Sequence, residues 1–182
     1  MRQCATPEAS TRRMTTYSAT RYDFRDKAAG YLQLQQELAA LLAGEHDVVA
    51  NAANTAALLF DALPQVNWAG FYFLKDGELV VGPFQGKPAC VRIALGRGVC
   101  GTCAAERRTL VVSDVHAFPG HIACDAASRA EIVVPLLHRG ELLGVLDVDS
   151  PVPARFDAGD GAGLESLART FLASLAAGAS TR

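Results

Sequence analysis

The spacing of the apolar residues changes at Pro64, and this change limits the folds that are open to the chain. Before Pro64, apolar residues recur at helical spacing over residues 31–43, and Asp47 can cap a second helix that runs to about Leu63. From Trp68 onwards, aromatic and aliphatic residues follow the period of two that is typical of strands. The sequence therefore predicts two helices followed by a sheet.

Turn signals divide the rest of the chain into short elements. Asp76 with Gly77 supplies the positive φ of a tight hairpin turn, and Arg139 with Gly140 marks a second turn. We expect strands over residues 68–74, 79–84, 90–95, 110–112, 131–137 and 142–148, one crossover helix over 99–107 and a last helix over 156–177. Glycine and proline at 82–83 and 86–88 should interrupt the edge of the second strand. This order predicts a layered α+β domain.

Composition sets the size and the class of the protein. Of 182 residues, 50% are hydrophobic, so we expect one domain with a sizeable core. Residues 1–20 are rich in Ser, Thr and Arg, which predicts a disordered N-terminal tail and places the domain in residues 21–182. A net charge of -2 with no long run of one sign argues against nucleic acid or an anionic membrane as a partner. With neither a spanning segment nor a secretory leader, a cytoplasmic location is expected.

Five cysteines carry the clearest functional signal: Cys4, Cys90, Cys100, Cys103 and Cys124. An odd number without a secretory leader argues against an extracellular disulfide framework and favours catalytic, redox or metal-binding roles. Cys124 lies in a loop between two strand-like segments, where Pro119 and Gly120 exclude a helix. Loops of this kind often carry function, so Cys124 is the first candidate for a reactive thiol.

The thiolate is the reactive form of cysteine, and a pKa of about 8.5 leaves most thiols protonated near neutral pH. His121 and Arg97 are candidate cations for Cys124. Cys100 falls in the first turn of a predicted helix, where amide groups and the helix dipole favour a thiolate. Cys103 is followed by two alanines and is expected to be an inert residue on the buried face of that helix.

Two paired spacings imitate a structural zinc site. Two residues separate Cys100 from Cys103, and two residues separate His121 from Cys124. Against a zinc site, the first pair opens a helix, the second lies in one long loop, and Cys90 is left without a role. A thioredoxin-like role for the first pair lacks the βαβ context that should precede it.

Three acidic residues form a second signal. Asp147 and Asp149 alternate on one predicted strand and therefore share a face, and Glu131 opens the neighbouring strand. Like charges held close raise at least one pKa, which yields a carboxylic acid near neutral pH. Such a group near a thiol suits a cationic ligand or one that must accept a proton. The alternative is that these acids only end exposed strands.

Several longer motifs stand in the order and spacing of one enzyme family. They are GPFQGKPAC over residues 82–90, GRGVCGT over 96–102 and FPGHIACD over 118–125, with Ser128, EIVVP over 131–135 and GVLDVDS over 144–150 continuing the match. With them the chain resembles the GAF-type free methionine-(R)-sulfoxide reductases over roughly residues 31–177. The resemblance implies a GAF-like α+β domain, a six-stranded antiparallel sheet flanked by helices, and a homodimer.

The resemblance also implies roles for the cysteines. Cys124 matches the nucleophilic cysteine, Cys90 the main resolving cysteine, and Cys100 a third cysteine that can take part in disulfide formation. Cys103 stands where the family has a small residue such as alanine, which leaves open an extra disulfide with Cys100.

The same resemblance implies how the substrate is bound. Glu131, Asp147 and Asp149 match acids that bind the substrate and assist at the sulfoxide. Trp68 and Tyr72 match aromatic residues that line the methyl-thioether end of the pocket.

The implied reaction reduces free L-methionine-(R)-sulfoxide to L-methionine. Cys124 attacks the sulfoxide sulfur while Asp149 or Glu131 protonates its oxygen, and the resulting sulfenic acid reacts with Cys90 to give a disulfide. Reduced thioredoxin, recycled by NADPH through thioredoxin reductase, then restores both thiols, and no bound cofactor or metal is implied. The alternative is a GAF module that senses a small molecule without turnover, which needs the acids but not the paired redox cysteines.

Overall fold

The computed structural model describes residues 22–120 and 126–176, and within them the elements follow the predicted order. The helices are α1 (Lys27–Leu41), α2 (Val48–Ala62), α3 (Gly98–Glu106) and α4 (Ala158–Ala176). The strands are β1 (Trp68–Lys75), β2 (Glu78–Gly86), β3 (Arg92–Ala94), β4 (Leu110–Val112), β5 (Ala130–His138) and β6 (Glu141–Ser150). The predicted tail over residues 1–20 lies outside the described residues, and so does the segment 121–125 that contains Cys124.

The six strands of the described region form one antiparallel sheet in the order β3-β2-β1-β6-β5-β4. Asp76 and Gly77, between β1 and β2, have φ of 53° and 82°, and Arg139 and Gly140, between β5 and β6, have φ of 53° and 85°. Positive φ at both central residues matches the right-handed twist of the flanking strands. Both predicted hairpin turns are therefore confirmed, and β1 and β6 become the central strands.

The sheet separates two hydrophobic cores. Helices α1, α2 and α4 form the layer on one face, where Phe71 and Leu146 are buried. Helix α3 covers the other face, where Tyr72 and Val145 are buried. Side chains alternate along a strand, so consecutive residues of β1 and β6 belong to opposite cores. Among the described helices, none is long and apolar enough to cross a membrane.

Two predicted bounds are wrong for identifiable reasons. Helix α1 begins at Lys27 rather than at residue 31 because Asp26 caps it, accepting a hydrogen bond from the Ala29 amide at 3.1 Å. Strand β2 continues through Pro83 to its end at Gly86. Pro83 is tolerated because the register with β1 shifts there, and proline within sheets is found at such bulges.

Two smaller differences concern burial and length. Helical spacing from the Asp47 cap predicts Phe60 on the buried side of α2, but 38% of Phe60 is exposed, and the buried stripe runs through Thr55, Leu58 and Leu59. Strand β3 is shorter than predicted and leaves Cys90 in the connection that precedes it.

Candidate active site

A pocket lies on the α3 side of the sheet. It is lined by six of the site residues predicted from the sequence: Trp68, Tyr72, Cys100, Glu131, Asp147 and Asp149. Arg97, a predicted candidate cation, also lines it. Cys90 lies beside the lining residue Ala89, and the role predicted for Cys124 stays a prediction.

The strand register explains why the three acids meet. Glu131 on β5 is the direct partner of Asp149 on β6, and Asp149 is in turn the partner of Trp68 on β1. Asp147 lies two residues from Asp149 and therefore on the same face. The three acids therefore line one pocket, and their role in binding substrate stays a prediction. Glu131 and Asp147 are 7% and 5% exposed, whereas Asp149 is half-buried.

Burial controls the ionisation of the two inner acids. Burial raises the pKa of Asp147 to about 7. Burial also raises the pKa of Glu131 well above its usual range, and the negative charges of Asp147 and Asp149 add to this effect. Within the described residues, neither Glu131 nor Asp147 forms an ion pair, and the buried Oδ1 of Asp147 has no hydrogen-bond partner. The site is therefore able to hold a proton or to receive a cation.

The Cys100 thiol points into this acidic group. Its Sγ lies 3.7 Å from Oε1 of Glu131, a contact in which the thiol donates. Burial, followed by the charges of Asp147 and Glu131, raises the pKa of Cys100 well above its usual value. The prediction that the helix start favours a Cys100 thiolate is therefore wrong, because the raised pKa keeps this thiol protonated. A helix N-terminus stabilises a nearby negative charge by about 0.3–1 kcal/mol, which lowers a pKa by less than one unit. Burial can raise the pKa of such a group by about 3–5 units, so burial dominates here.

The other described cysteines differ from one another. Cys103 is completely buried, and its Sγ lies 3.5 Å from the carbonyl oxygen of Val133, which confirms that it is a core residue. Cys100 and Cys103 are free thiols, so the extra disulfide between them is not formed here. Cys90 is half-buried and disulfide-bonded. His121 and Cys124 of the proposed zinc set lie outside the described residues.

Aromatic rings form the apolar side of the pocket. Trp68 stacks on Tyr72 with ring centroids 5.9 Å apart, and on Phe84 with centroids 5.2 Å apart. The indole Nε1 of Trp68 donates a hydrogen bond to the carbonyl oxygen of Lys87 at 3.1 Å. This bond fixes the ring plane, so the rings can hold an apolar group in a defined orientation.

Sequence reasoning missed two supporting residues. Phe84 stacks on Trp68, which also stacks on Tyr72, and its place in the GPFQGKPAC motif was the available signal. Ser128 is 4% exposed, lines the pocket and accepts a hydrogen bond from Asn67 Nδ2 at 3.1 Å. The motif match includes Ser128 but gives it no role, because no property of a single serine indicates that it lines a site.

Comparison with known proteins gives a consistent result. The GAF domain family matches residues 31–177. The free methionine-R-sulfoxide reductase of Escherichia coli (strain K12) is 54% identical over 142 residues, which are 78% of this chain and 86% of that protein. Protein YtsP of Bacillus subtilis (strain 168) is 56% identical over 153 residues, covering 83% of this chain and 94% of its own length.

A solved structure extends the likeness to three dimensions. The X-ray structure of free methionine-R-sulfoxide reductase from Neisseria meningitidis, in complex with its substrate, superposes with a TM-score of 0.82 at 45% identity. The similarity covers 88% of this chain and 97% of that one. The chain belongs to the GAF-domain family of free methionine-R-sulfoxide reductases.

Proposed function

We propose that the protein reduces free L-methionine-(R)-sulfoxide to L-methionine in the pocket between α3 and the sheet. The observation that carries this proposal is the pair of buried carboxyl groups, Glu131 and Asp147, which form no ion pair among the described residues and lie beside stacked aromatic rings. Relatives of high identity bear the name of this reductase, which supports the same reaction here.

The substrate fits the two sides of the pocket. Its ammonium group supplies the positive charge that the acids lack, and buried carboxylates are stabilised strongly by such a partner. Its methyl-thioether end packs against Trp68 and Tyr72. A methionine sulfoxide within a peptide has no ammonium group, so binding it would leave buried carboxyl groups without a partner. This difference selects the free amino acid.

The first chemical step takes place at the sulfoxide sulfur. The Cys124 thiolate attacks sulfur, and Asp149 or Glu131 delivers a proton to the oxygen. The raised pKa of Glu131 favours the protonated form that this step requires. The substrate S–O bond then breaks as the protonated oxygen passes to the Cys124 sulfur, which becomes a sulfenic acid, and the reduced sulfur leaves as methionine.

The second step removes that oxygen as water. The Cys90 thiol attacks the sulfenic sulfur and forms a disulfide with Cys124. The disulfide at Cys90 supports a redox role for this residue. Cys100 is the less suitable first resolving thiol because its burial among carboxyl groups disfavours the thiolate. Thioredoxin, kept reduced by NADPH and thioredoxin reductase, exchanges with the disulfide in the cytoplasm, and the enzyme acts as a homodimer.

The deciding experiment incubates the purified protein with each epimer of free methionine sulfoxide and dithiothreitol, followed by chiral analysis of the products. We expect methionine from the R epimer and no turnover in the Cys124→Ser variant, since a hydroxyl is a far weaker nucleophile toward sulfur. Substantial activity of a pure Cys124→Ser preparation would remove Cys124 from its role. Tight binding of the sulfoxide without any product would instead favour a sensing module.

A further inference from the structure

We infer that Cys100, Glu131 and Asp147 form a binding site for a thiophilic divalent cation such as Zn²⁺, which excludes the substrate from the pocket. This site differs from the zinc set suggested by the cysteine spacing, since it uses neither Cys103 nor the 121–125 segment. Binding of the cation does not depend on the proposed reductase reaction, whereas exclusion of the substrate rests on the proposed function.

The first argument is the composition and closeness of the ligand atoms. One sulfur of Cys100 and one carboxylate oxygen from each of Glu131 and Asp147 lie within 4.8 Å of one another, and all three residues are buried. Zn²⁺ and Cd²⁺ accept mixed sulfur and oxygen ligands, whereas Mg²⁺ and Ca²⁺ prefer oxygen alone. The thiol therefore selects the class of cation.

The second argument is the spacing of sulfur and oxygen. A tetrahedral Zn²⁺ with Zn–S of about 2.3 Å and Zn–O of about 2.1 Å holds these two ligand atoms roughly 3.6 Å apart. The Sγ of Cys100 and Oε1 of Glu131 lie 3.7 Å apart. Two of the three ligand atoms thus stand at the required separation, and the Asp147 oxygen lies within 4.8 Å of both.

The third argument is an unsatisfied atom. Among the residues that the structure describes, the buried Oδ1 of Asp147 has no hydrogen-bond partner, and Asp147 is only 5% exposed and lines the pocket. A buried carboxylate oxygen without a partner is unfavourable and is stabilised by any cation that reaches it. The pocket mouth gives access, and it leaves a fourth coordination position open to water, as in zinc sites with three protein ligands.

The site overlaps with the acids proposed to bind the substrate ammonium. A cation held by Glu131 and Asp147 occupies the position of that ammonium and blocks the sulfoxide from entering. Reduced activity in the presence of Zn²⁺ should therefore be relieved by a chelator and by high substrate concentration, because no covalent change has occurred.

The test titrates the full-length protein, purified without reductant so that the Cys90 disulfide is retained, with CdCl₂. The measurement is the ultraviolet charge-transfer absorption of a cadmium–thiolate bond. Cys103→Ala is the matched control, because Cys103 lies in the same helix, is equally buried and is not among the ligands. We expect the absorption to saturate at one Cd²⁺ per chain in the parent and in Cys103→Ala, and to be lost in Cys100→Ala.

Two further variants keep the thiol and test the oxygens. Glu131→Gln and Asp147→Asn should each weaken Cd²⁺ binding by about 100-fold or more, since even residues outside the ligand sphere change metal affinity by 10–100-fold. Free methionine and ZnCl₂ should each displace Cd²⁺ from the parent. The inference is overturned if the parent shows no band, if Cys100→Ala retains the band, or if the two carboxyl variants bind Cd²⁺ as the parent does.

Discussion

In the proposed reaction Asp149 helps to distinguish free methionine sulfoxide from a blocked form, because it is half-buried, lines the pocket with Glu131 and Asp147, and pairs with Trp68 on β1. Asp149→Asn keeps the shape but loses the negative charge and the capacity to transfer a proton. A charge-assisted contact is worth about 1.5–3 kcal/mol, so kcat/KM should fall about tenfold or more.

The same variant tests what Asp149 contacts. N-acetyl-methionine sulfoxide lacks the ammonium group and should be a poor substrate of the parent. It should be penalised less in Asp149→Asn, because the two changes remove one shared contact. Strictly additive losses would show that Asp149 does not meet the amine, and equal turnover of the free and acetylated sulfoxides would refute the preference for the free amino acid.

The roles of Cys90 and Cys100 can be distinguished by comparing a single turnover with repeated turnovers supported by thioredoxin. Cys90→Ser still allows the sulfenic acid to form, so one equivalent of methionine should appear per chain in a rapid-quench assay without reductant. Cycling with thioredoxin should fall sharply, whereas a small thiol restores part of it. Cys100→Ser is the matched comparison, and it should complete more thioredoxin-dependent turnovers than Cys90→Ser. Normal thioredoxin cycling in Cys90→Ser would make Cys100 the resolving residue.

At the scale of elements, the packing of α4 against α1 can be tested by replacing two of its glycines with alanine. We expect one replacement to destabilise the fold and the other to stabilise it. A methyl group at Gly163 would lie 2.2 Å from Cγ of Tyr31 on α1, and the Tyr31 ring is fixed by a 2.9 Å hydrogen bond from its hydroxyl to Asp160. Gly163→Ala should therefore lower the free energy of unfolding by about 1–3 kcal/mol.

Gly161 provides the matched control in the same helix. Its added methyl group would meet only Val111 Cγ2, at 3.8 Å. Gly161→Ala should raise the free energy of unfolding by about 0.5–1 kcal/mol, because alanine has the higher helix propensity. Urea denaturation of both variants measures the difference. Equal effects of the two substitutions would show that α1 and α4 are not packed as described.

The elements that sequence predicted well are those governed by local chemistry. Asp47 caps α2 by accepting hydrogen bonds from the Val49 and Ala50 amides, and the two hairpin turns follow from their glycines. The acidic site was also predictable, because a period of two places Asp147 and Asp149 on one face and strand order brings Glu131 beside them.

Properties that depend on distant contacts were not predictable. Asp160 in α4 is completely buried. It contacts Lys27 at 2.6 Å and Tyr31 at 2.9 Å, and both of these residues belong to α1, more than a hundred residues earlier in the chain. The raised pKa of Cys100 likewise arises from burial against other elements, which overrides the local effect of the helix terminus. Local patterns contain no information about either environment.

At the scale of the whole molecule, the buried acids link stability to pH. The pKa of Asp147 in the folded protein, about 7, lies above the value of about 3.9 in an unfolded chain. Between these values the folded state holds a proton that the unfolded state releases, so rising pH favours unfolding. This contribution is fully present below about pH 4 and is lost as the pH rises through about 7.

Asp147→Asn should therefore change the pH profile of stability. As the pH rises from about 4 to about 8, the free energy of unfolding of the parent should fall by on the order of 2–4 kcal/mol relative to that of the variant. Urea denaturation across this range measures it. Asp76→Asn makes the same substitution at an exposed turn, and its profile of unfolding free energy against pH should run parallel to that of the parent. Parallel profiles for Asp147→Asn and the parent would show that Asp147 is ionised normally.

The separation of two cores by the sheet has a consequence for how such a protein can change over generations. Substitutions in the layer of α1, α2 and α4 are shielded from the pocket by β1 and β6, so their effects on stability should combine almost independently with changes to pocket residues. Stabilising mutations on the helical side can then offset destabilising ones on the ligand side. Directed evolution toward a new sulfoxide should accordingly advance furthest from a parent whose helical layer has first been strengthened.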